Sequence, residues 1–245
     1  MSESAWVSSY RLYPSSLEVL VIDLLSFLLP VGLAIAISPV AVFGVTRMTL
    51  AAPVSMAPDW GFLAGWIVGV TAVTSIVTAV VALVSSPMTG TAFRVFAGLL
   101  FCALGVLAWV LALRRWRLRP RPGEKAKWPS WAEGVADADP ARASGLGFAL
   151  AALDIKNLTL AASAGVYLAL SRGSFGTIAL SIVVVAILAS ASLLVVTLGF
   201  RFARARVEAP LGRLASGLEL NLGGIESTVL VVVGGLLVGL GLGIF

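Results

Sequence analysis

Residues 60–93 contain no charged side chain. About 20 consecutive apolar residues already cross the roughly 30 Å hydrocarbon layer of a bilayer, so a run of this length points to membrane-spanning helices. The rest of the chain agrees. Of its 245 residues, 59% are hydrophobic and 12% charged, against about 25% charged in a typical soluble domain. Mean hydropathy is +1.03. The charges cluster and leave other long apolar runs between them. The expected class is an all-α polytopic membrane protein forming a single transmembrane domain over residues 1–245.

Two absences narrow the chemistry. There is no histidine, which excludes His-based triads, His metal ligands and His proton relays. The single cysteine, Cys102, lies in an apolar run and can form neither an internal disulfide nor a thiolate metal site. No cofactor and no metal are expected. The net charge of +5 resides in loops between apolar runs, so it reads as a topology signal rather than a nucleic-acid surface. The N-terminal stretch lacks the basic n-region and compact h-region of a cleaved signal peptide, so the first apolar segment is expected to be retained.

Six spans are expected, at about residues 24–46, 61–84, 94–113, 145–170, 175–200 and 225–245. As one helix, residues 17–50 would measure about 51 Å, too long for the bilayer core. Pro30 and Pro39 are the places to break it, because each lacks a backbone donor and clashes with the preceding turn; the break is expected at Ser38 and Pro39. In the second span Gly61, Gly65 and Gly69 recur every four residues, a pattern for close helix contact. Thr71, Thr74, Ser75 and Thr78 share another face; they either bond to their own backbone carbonyls or line a pathway. In the last span Gly235, Gly239 and Gly243 are read as a second close-packing face.

Within the fourth span stand Asp154, Lys156 and Asn157. A charged side chain at the bilayer centre costs roughly 2.5–3.5 kcal/mol on insertion scales, and such groups usually face a protein interior or a watery cavity. In a continuous helix Asp154 and Lys156 would point about 200° apart, so they meet only if the backbone unwinds there. Lys156, Thr159, Ser163 and Tyr167 share one face, a stripe suited to an anionic or polyhydroxylated headgroup. Asp154 is a candidate for proton coupling. The structural alternative is that Asp154 and Lys156 find fixed partners, or that Lys156 snorkels to an interface.

Charge asymmetry orients the chain. Arg47, the eight Lys/Arg between spans three and four and the four between spans five and six make thirteen on one side. Only Arg11, Arg94 and Arg172 lie on the other. By the positive-inside rule the loops at 114–144 and 201–224 are cytoplasmic, and both termini face outward. Arg114, Arg115 and Arg117, with Trp116 among them, are either topology anchors or contacts to anionic lipid headgroups; Trp128 and Trp131 suit a headgroup-level anchor. Three spans per half force the halves into opposite orientations. The segments GLAIAISPVAVFG and GFALAALDIKNLT then open the two halves as matched interrupted helices, the sequence pattern of a midplane transporter site.

Four stretches carry a family resemblance: ISPVAVFGVTRMTLAAP, the following GFLAGWIVGV, KWPSWAEGVADADPARASGLGFALAALDIKNLTLAASAG, and APLGRLASGLELNLGG before the last span. Together they resemble the peptidoglycolipid-addressing (GAP) family, also called sulfolipid-addressing proteins, of the lysine-exporter (LysE) superfamily. Where that family usually shows Asn-Pro-Lys-Asn, this chain has Asp154, Ile155, Lys156 and Asn157; Lys156 and Asn157 carry over, and the Asn-Pro pair does not. The resemblance implies a six-helix exporter of two inverted three-helix repeats in an actinobacterial plasma membrane. It also implies a cell-envelope glycolipid or lipid-linked glycan as substrate.

The leading expectation is therefore export of an envelope lipid, with Lys156 and Asn157 holding the headgroup, Thr159, Ser163 and Tyr167 beside them, and Ser38 and Pro39 forming the opposing break. Partners would be membrane lipids and the envelope glycolipid substrate, with a homodimer or an envelope-synthesis enzyme as candidate protein partners. The alternatives are an exporter of small amino-acid-like or cationic solutes, and a non-transporting accessory subunit of envelope lipid synthesis. An intramembrane enzyme is least favoured, because no nucleophile–base pair is recognisable.

Overall fold

The computed structural model describes residues 16–51, 56–85, 87, 90–118, 134–135, 137–171 and 173–244, with no account of the side chains of 16–25, 155, 214–223, 226 and 244. Trp128 and Trp131 lie outside the described residues. Within them the fold is entirely helical: α1 (Ser16–Ala36), α2 (Pro39–Ala51), α3 (Ala57–Ser85), α4 (Gly90–Arg117), α5 (Pro140–Ala152), α6 (Ile155–Ser171), α7 (Phe175–Ala189) and α8 (Ala191–Ile244). The apolar runs thus become helices, as a bilayer requires of segments that must satisfy every backbone group internally. This is a membrane protein. Among the described residues, α3 and α4 are each long and apolar enough to cross a bilayer, and three bent helix pairs raise the number of such spans to as many as five. The stretch Ser227–Gly243 of α8 is a shorter apolar helix.

Each bend has a local cause. α1 and α2 meet at 49°, across Ile37 and Ser38, directly before Pro39. α5 and α6 meet at 64°; the break at Leu153 and Asp154 needs no proline, because the Asp154 carboxylate starts a new helix. Its Oδ1 accepts from the backbone N–H groups of Lys156 (3.1 Å) and Asn157 (3.3 Å), as an N-cap does. The fifth span, expected at about 175–200, is bent by 53° at Ser190. There the Ser190 hydroxyl donates to the Ala186 carbonyl at 2.7 Å, a bond that commonly bends helices.

Two further expectations are corrected. The loop placed at 201–224 is helical and continues α8, interrupted only by non-helical dihedrals at Ala203 (φ −140°, ψ 35°); its Ala, Leu, Arg and Glu residues are good helix formers. Likewise Arg114, Arg115 and Arg117 form the last turn of α4 rather than a loop, where cations suit the negative end of the helix dipole.

α3 is the centre of the packing. It lies against α5 and α6 on one side and touches α7. Gly61, Gly65 and Gly69 do make close contact: a Cβ on Gly61 or Gly65 would strike the Pro140 or Ser144 carbonyl of α5, and one on Gly147 of α5 would strike the Phe62 carbonyl in return. α1 packs on α7, α2 on α8, and α4 on α8. In that last seam the close glycines are Gly105 of α4 with Gly234 of α8, and Gly98 of α4 with Gly241 of α8. The expected stripe of Gly235, Gly239 and Gly243 is instead open, with nothing within 4 Å of where a Cβ would stand. The stripe is one residue out of phase with the contact face, a shift of about 100° around the helix.

Candidate functional site

The two breaks face each other. A helix end leaves its last carbonyls without intrahelical donors, and α1 ends inside the protein, so those carbonyls need partners from elsewhere. Leu33 O accepts from Ile37 N at 3.0 Å. Ala36 O accepts from the Ser192 hydroxyl of α8 at 2.5 Å. Ala34 O and Ile37 O accept from the Lys156 ammonium at 3.2 and 3.1 Å. Lys156 is 2% exposed. Its charge is accommodated by carbonyl dipoles and by the negative end of α1, so the lysine of the second break closes the first.

Asn157 adds a second tie. Its Nδ2 donates to the Leu150 carbonyl of α5 at 3.0 Å and to Ser38 Oγ at 3.4 Å. Its Oδ1 is buried without a hydrogen-bond partner among the described residues, an acceptor whose desolvation is uncompensated. Ser38 and Pro39 are buried beside it.

Asp154 turns its second oxygen to Arg115 of α4, with Oδ2 and Nη2 3.5 Å apart. Next to this pair lies a pocket of about 230 Å³ lined by Leu111, Arg114, Arg115, Leu118, Lys156 and Leu230. Three cationic side chains therefore border one small space. Such a cluster favours an anion, because each like charge is costly to hold near another unless an opposite charge is shared. Arginine adds a planar fork suited to phosphate or carboxylate oxygens.

The remaining candidates fall in other places. Thr159 and Ser163 are buried along α6, and the Ser163 hydroxyl donates to its own helix at Leu160 O (2.7 Å). Tyr167, half-buried, lies far along α6 with its ring 4.3 Å from that of Phe27 and lines a different pocket. Thr78 bonds its own backbone, the first of the two readings weighed for the α3 hydroxyls: it donates to Thr74 O at 2.7 Å, and it also lies 3.2 Å from Gly165 O of α6. Thr74 is buried with its hydroxyl unpartnered among the described residues, while Thr71 and Ser75 are half-buried. Arg117 is exposed and is absent from the pocket lining that holds Arg114 and Arg115.

Sequence reasoning missed the partnership of Arg115 with Asp154 and the role of the α1 carbonyls. The latter had a signal, since any helix ended by a buried Ser-Pro step must find donors. It also missed Asp59, which is 2% exposed at the start of α3 and receives the Thr49 hydroxyl of α2 at 2.9 Å.

No curated protein and no solved structure matches the chain. The model of one family, described as Sap, sulfolipid-1-addressing protein, matches residues 28–243. That match takes in both breaks, the lysine between them and the helices that enclose the pocket, so the chain belongs to the sulfolipid-1-addressing protein family.

Proposed function

We propose that this protein exports an anionic cell-envelope lipid or glycolipid across the bacterial plasma membrane, binding its headgroup beside Lys156. The observation that carries the reading is the position of Lys156: buried on the terminal carbonyls of α1 while lining a pocket with Arg114 and Arg115. A phosphate, sulfate or carboxylate entering that pocket competes with the Ala34 and Ile37 carbonyls for the ammonium. The α1–α2 bend then keeps the Ser192 bond to Ala36 O and the Asn157 bond to Ser38 but loses its cation, so cargo binding loosens the hinge. The unpartnered Asn157 Oδ1 supplies an acceptor for a headgroup hydroxyl. Asp154, 3.5 Å from Arg115 at the edge of this pocket, is the candidate group for coupling.

The proposed architecture is six spans in two inverted halves. Reciprocal packing supports it: the broken span α1–α2 rests on α7 and α8, α3 rests on the broken span α5–α6, and α4 rests on α8. The excess of Lys/Arg on one side supports cytoplasmic basic segments and outward termini. A pocket bordered by three cations disfavours a cationic solute as cargo.

Reconstitution into liposomes tests the reading. The full chain should move a fluorescent phosphatidic-acid probe between leaflets, and Lys156→Met should abolish that movement while the variant remains folded by circular dichroism. Undiminished movement by Lys156→Met would remove the site, and no movement by the wild type would favour an accessory role.

A further inference from the structure

The open glycine stripe of α8 has a consequence for the cargo. Gly235, Gly239 and Gly243, with Val232, Leu236 and Leu240, line a shallow apolar groove of about 690 Å³. Beside it, between α1, α6 and α8, lies a partly open pocket of about 180 Å³ lined in part by Phe27, Pro30, Tyr167, Val233, Leu237 and Leu240. Leu236 and Leu240 border both spaces, so the groove adjoins the pocket. Its volume is below the roughly 300–1,000 Å³ of sites that take a whole small molecule. It suits part of a hydrocarbon chain.

The pocket is also in line with the cationic one. On α6, Lys156 borders the cationic pocket and Tyr167 the apolar one; eleven residues separate them, three turns on one face and about 16 Å along the axis. On α8, Leu230 borders the first and Val233, Leu237 and Leu240 the second. A polar solute would use only the first. An amphiphile with an anionic head has complementary surface at both, with its head on Arg114, Arg115 and Lys156 and its tail between the Phe27 and Tyr167 rings and α8.

We infer that the pocket between α1, α6 and α8 is an alkyl-chain site, entered sideways from the bilayer over the glycine-floored groove. The site rests on the anionic-lipid reading above and adds to it a requirement for a hydrocarbon tail.

The test uses the full chain in phosphatidylcholine nanodiscs with dodecyl phosphate carrying a diazirine on its terminal carbon. After photolysis, label should concentrate on Tyr167 and on residues 236–240, about tenfold above the lipid-facing surface of α3 at Val80 and Leu83, a preference worth about 1.4 kcal/mol. The same diazirine on neutral dodecanol should label both regions alike. Val31→Phe and the exposed Ser26→Phe both fill the pocket and should abolish the preference, while leaving inorganic phosphate binding at the cationic pocket unchanged. Even labelling of α3 and α8 by dodecyl phosphate, or preference retained in a folded Ser26→Phe variant, overturns the site. So does dimerisation that excludes the probe, which would give the groove to a second copy of the chain. Loss of lipid movement with labelling intact would count against export and not against the chain site.

Discussion

The Lys156 ammonium donates to the Ile37 carbonyl at 3.1 Å, so the interruption in one bent span is closed by a side chain from the interruption in another. Replacing Lys156 with Met leaves the Ala34 and Ile37 carbonyls without that donor, at a cost of about 1–3 kcal/mol each, partly offset by no longer burying a charge. The expected outcome is a fall in thermal midpoint of a few degrees and loss of lipid movement. Lys156→Arg should retain most of the stability and regain part of the movement. Equal behaviour of the Met and Arg variants would contradict a role for the cation.

Asp154 and Arg115 should show a small stability coupling. Arg115 is 44% exposed and the pair is 3.5 Å apart, so a double-mutant cycle with Asp154→Asn and Arg115→Gln should give about 0.2–1 kcal/mol. Their effects on export should differ. Arg115→Gln should weaken binding of a phosphate headgroup, whereas Asp154→Asn, which leaves Arg115 without its carboxylate, should strengthen it. Titration with dodecyl phosphate checks both directions.

The two glycine stripes should respond oppositely to alanine. Gly65→Ala places a methyl into the Ser144 carbonyl and Gly147→Ala into that of Phe62; overpacking against backbone costs about 1–3 kcal/mol or more. Gly239→Ala meets nothing within 4 Å and should be neutral or stabilising by up to about 1 kcal/mol, since alanine is the better helix former. Thermal melts of the three variants decide the matter.

Asp59 accepts from the Thr49 hydroxyl at 2.9 Å, which also lies 2.7 Å from its own helix at Val45 O. Thr49→Val removes that donor from a buried carboxyl group and should destabilise by about 1–3 kcal/mol. The double variant Thr49→Val, Asp59→Leu should recover part of the loss, because replacing both partners with apolar groups avoids the unsatisfied acceptor. Denaturation of the three variants tests the recovery.

Much of this arrangement could be read before the fold was known, and the reasons differ by residue. Pro39 marks the first break because its missing N–H acts locally. Lys156 stands out because a cation in an apolar run has few places to go, and it lies buried on the α1 carbonyls. The break at Asp154 carries a quieter signal: aspartate ahead of a helix is a start residue, which substitutes for the Asn-Pro pair of the resembling family. The pairing of Asp154 with Arg115, by contrast, joins α4 to the α5–α6 break and has no local signature. The glycines of α8 misled for a geometric reason. A four-residue repeat identifies a smooth face but not whether a neighbour occupies it, and the contacting glycines, Gly234 and Gly241, are spaced by seven. Ser190 bends its helix through a bond that serine makes in many straight helices too, so its position alone does not reveal the bend.

The meeting of α3 and α5 through bare backbone has a mechanical meaning. With no side chains between Gly65 and Ser144 or between Gly147 and Phe62, the joint has no cushion, and glycine backbone rests directly on the carbonyls of the other helix. In the export proposed above, α3 and α5 therefore act as one rigid pair, and any rearrangement falls to the helices packed around it.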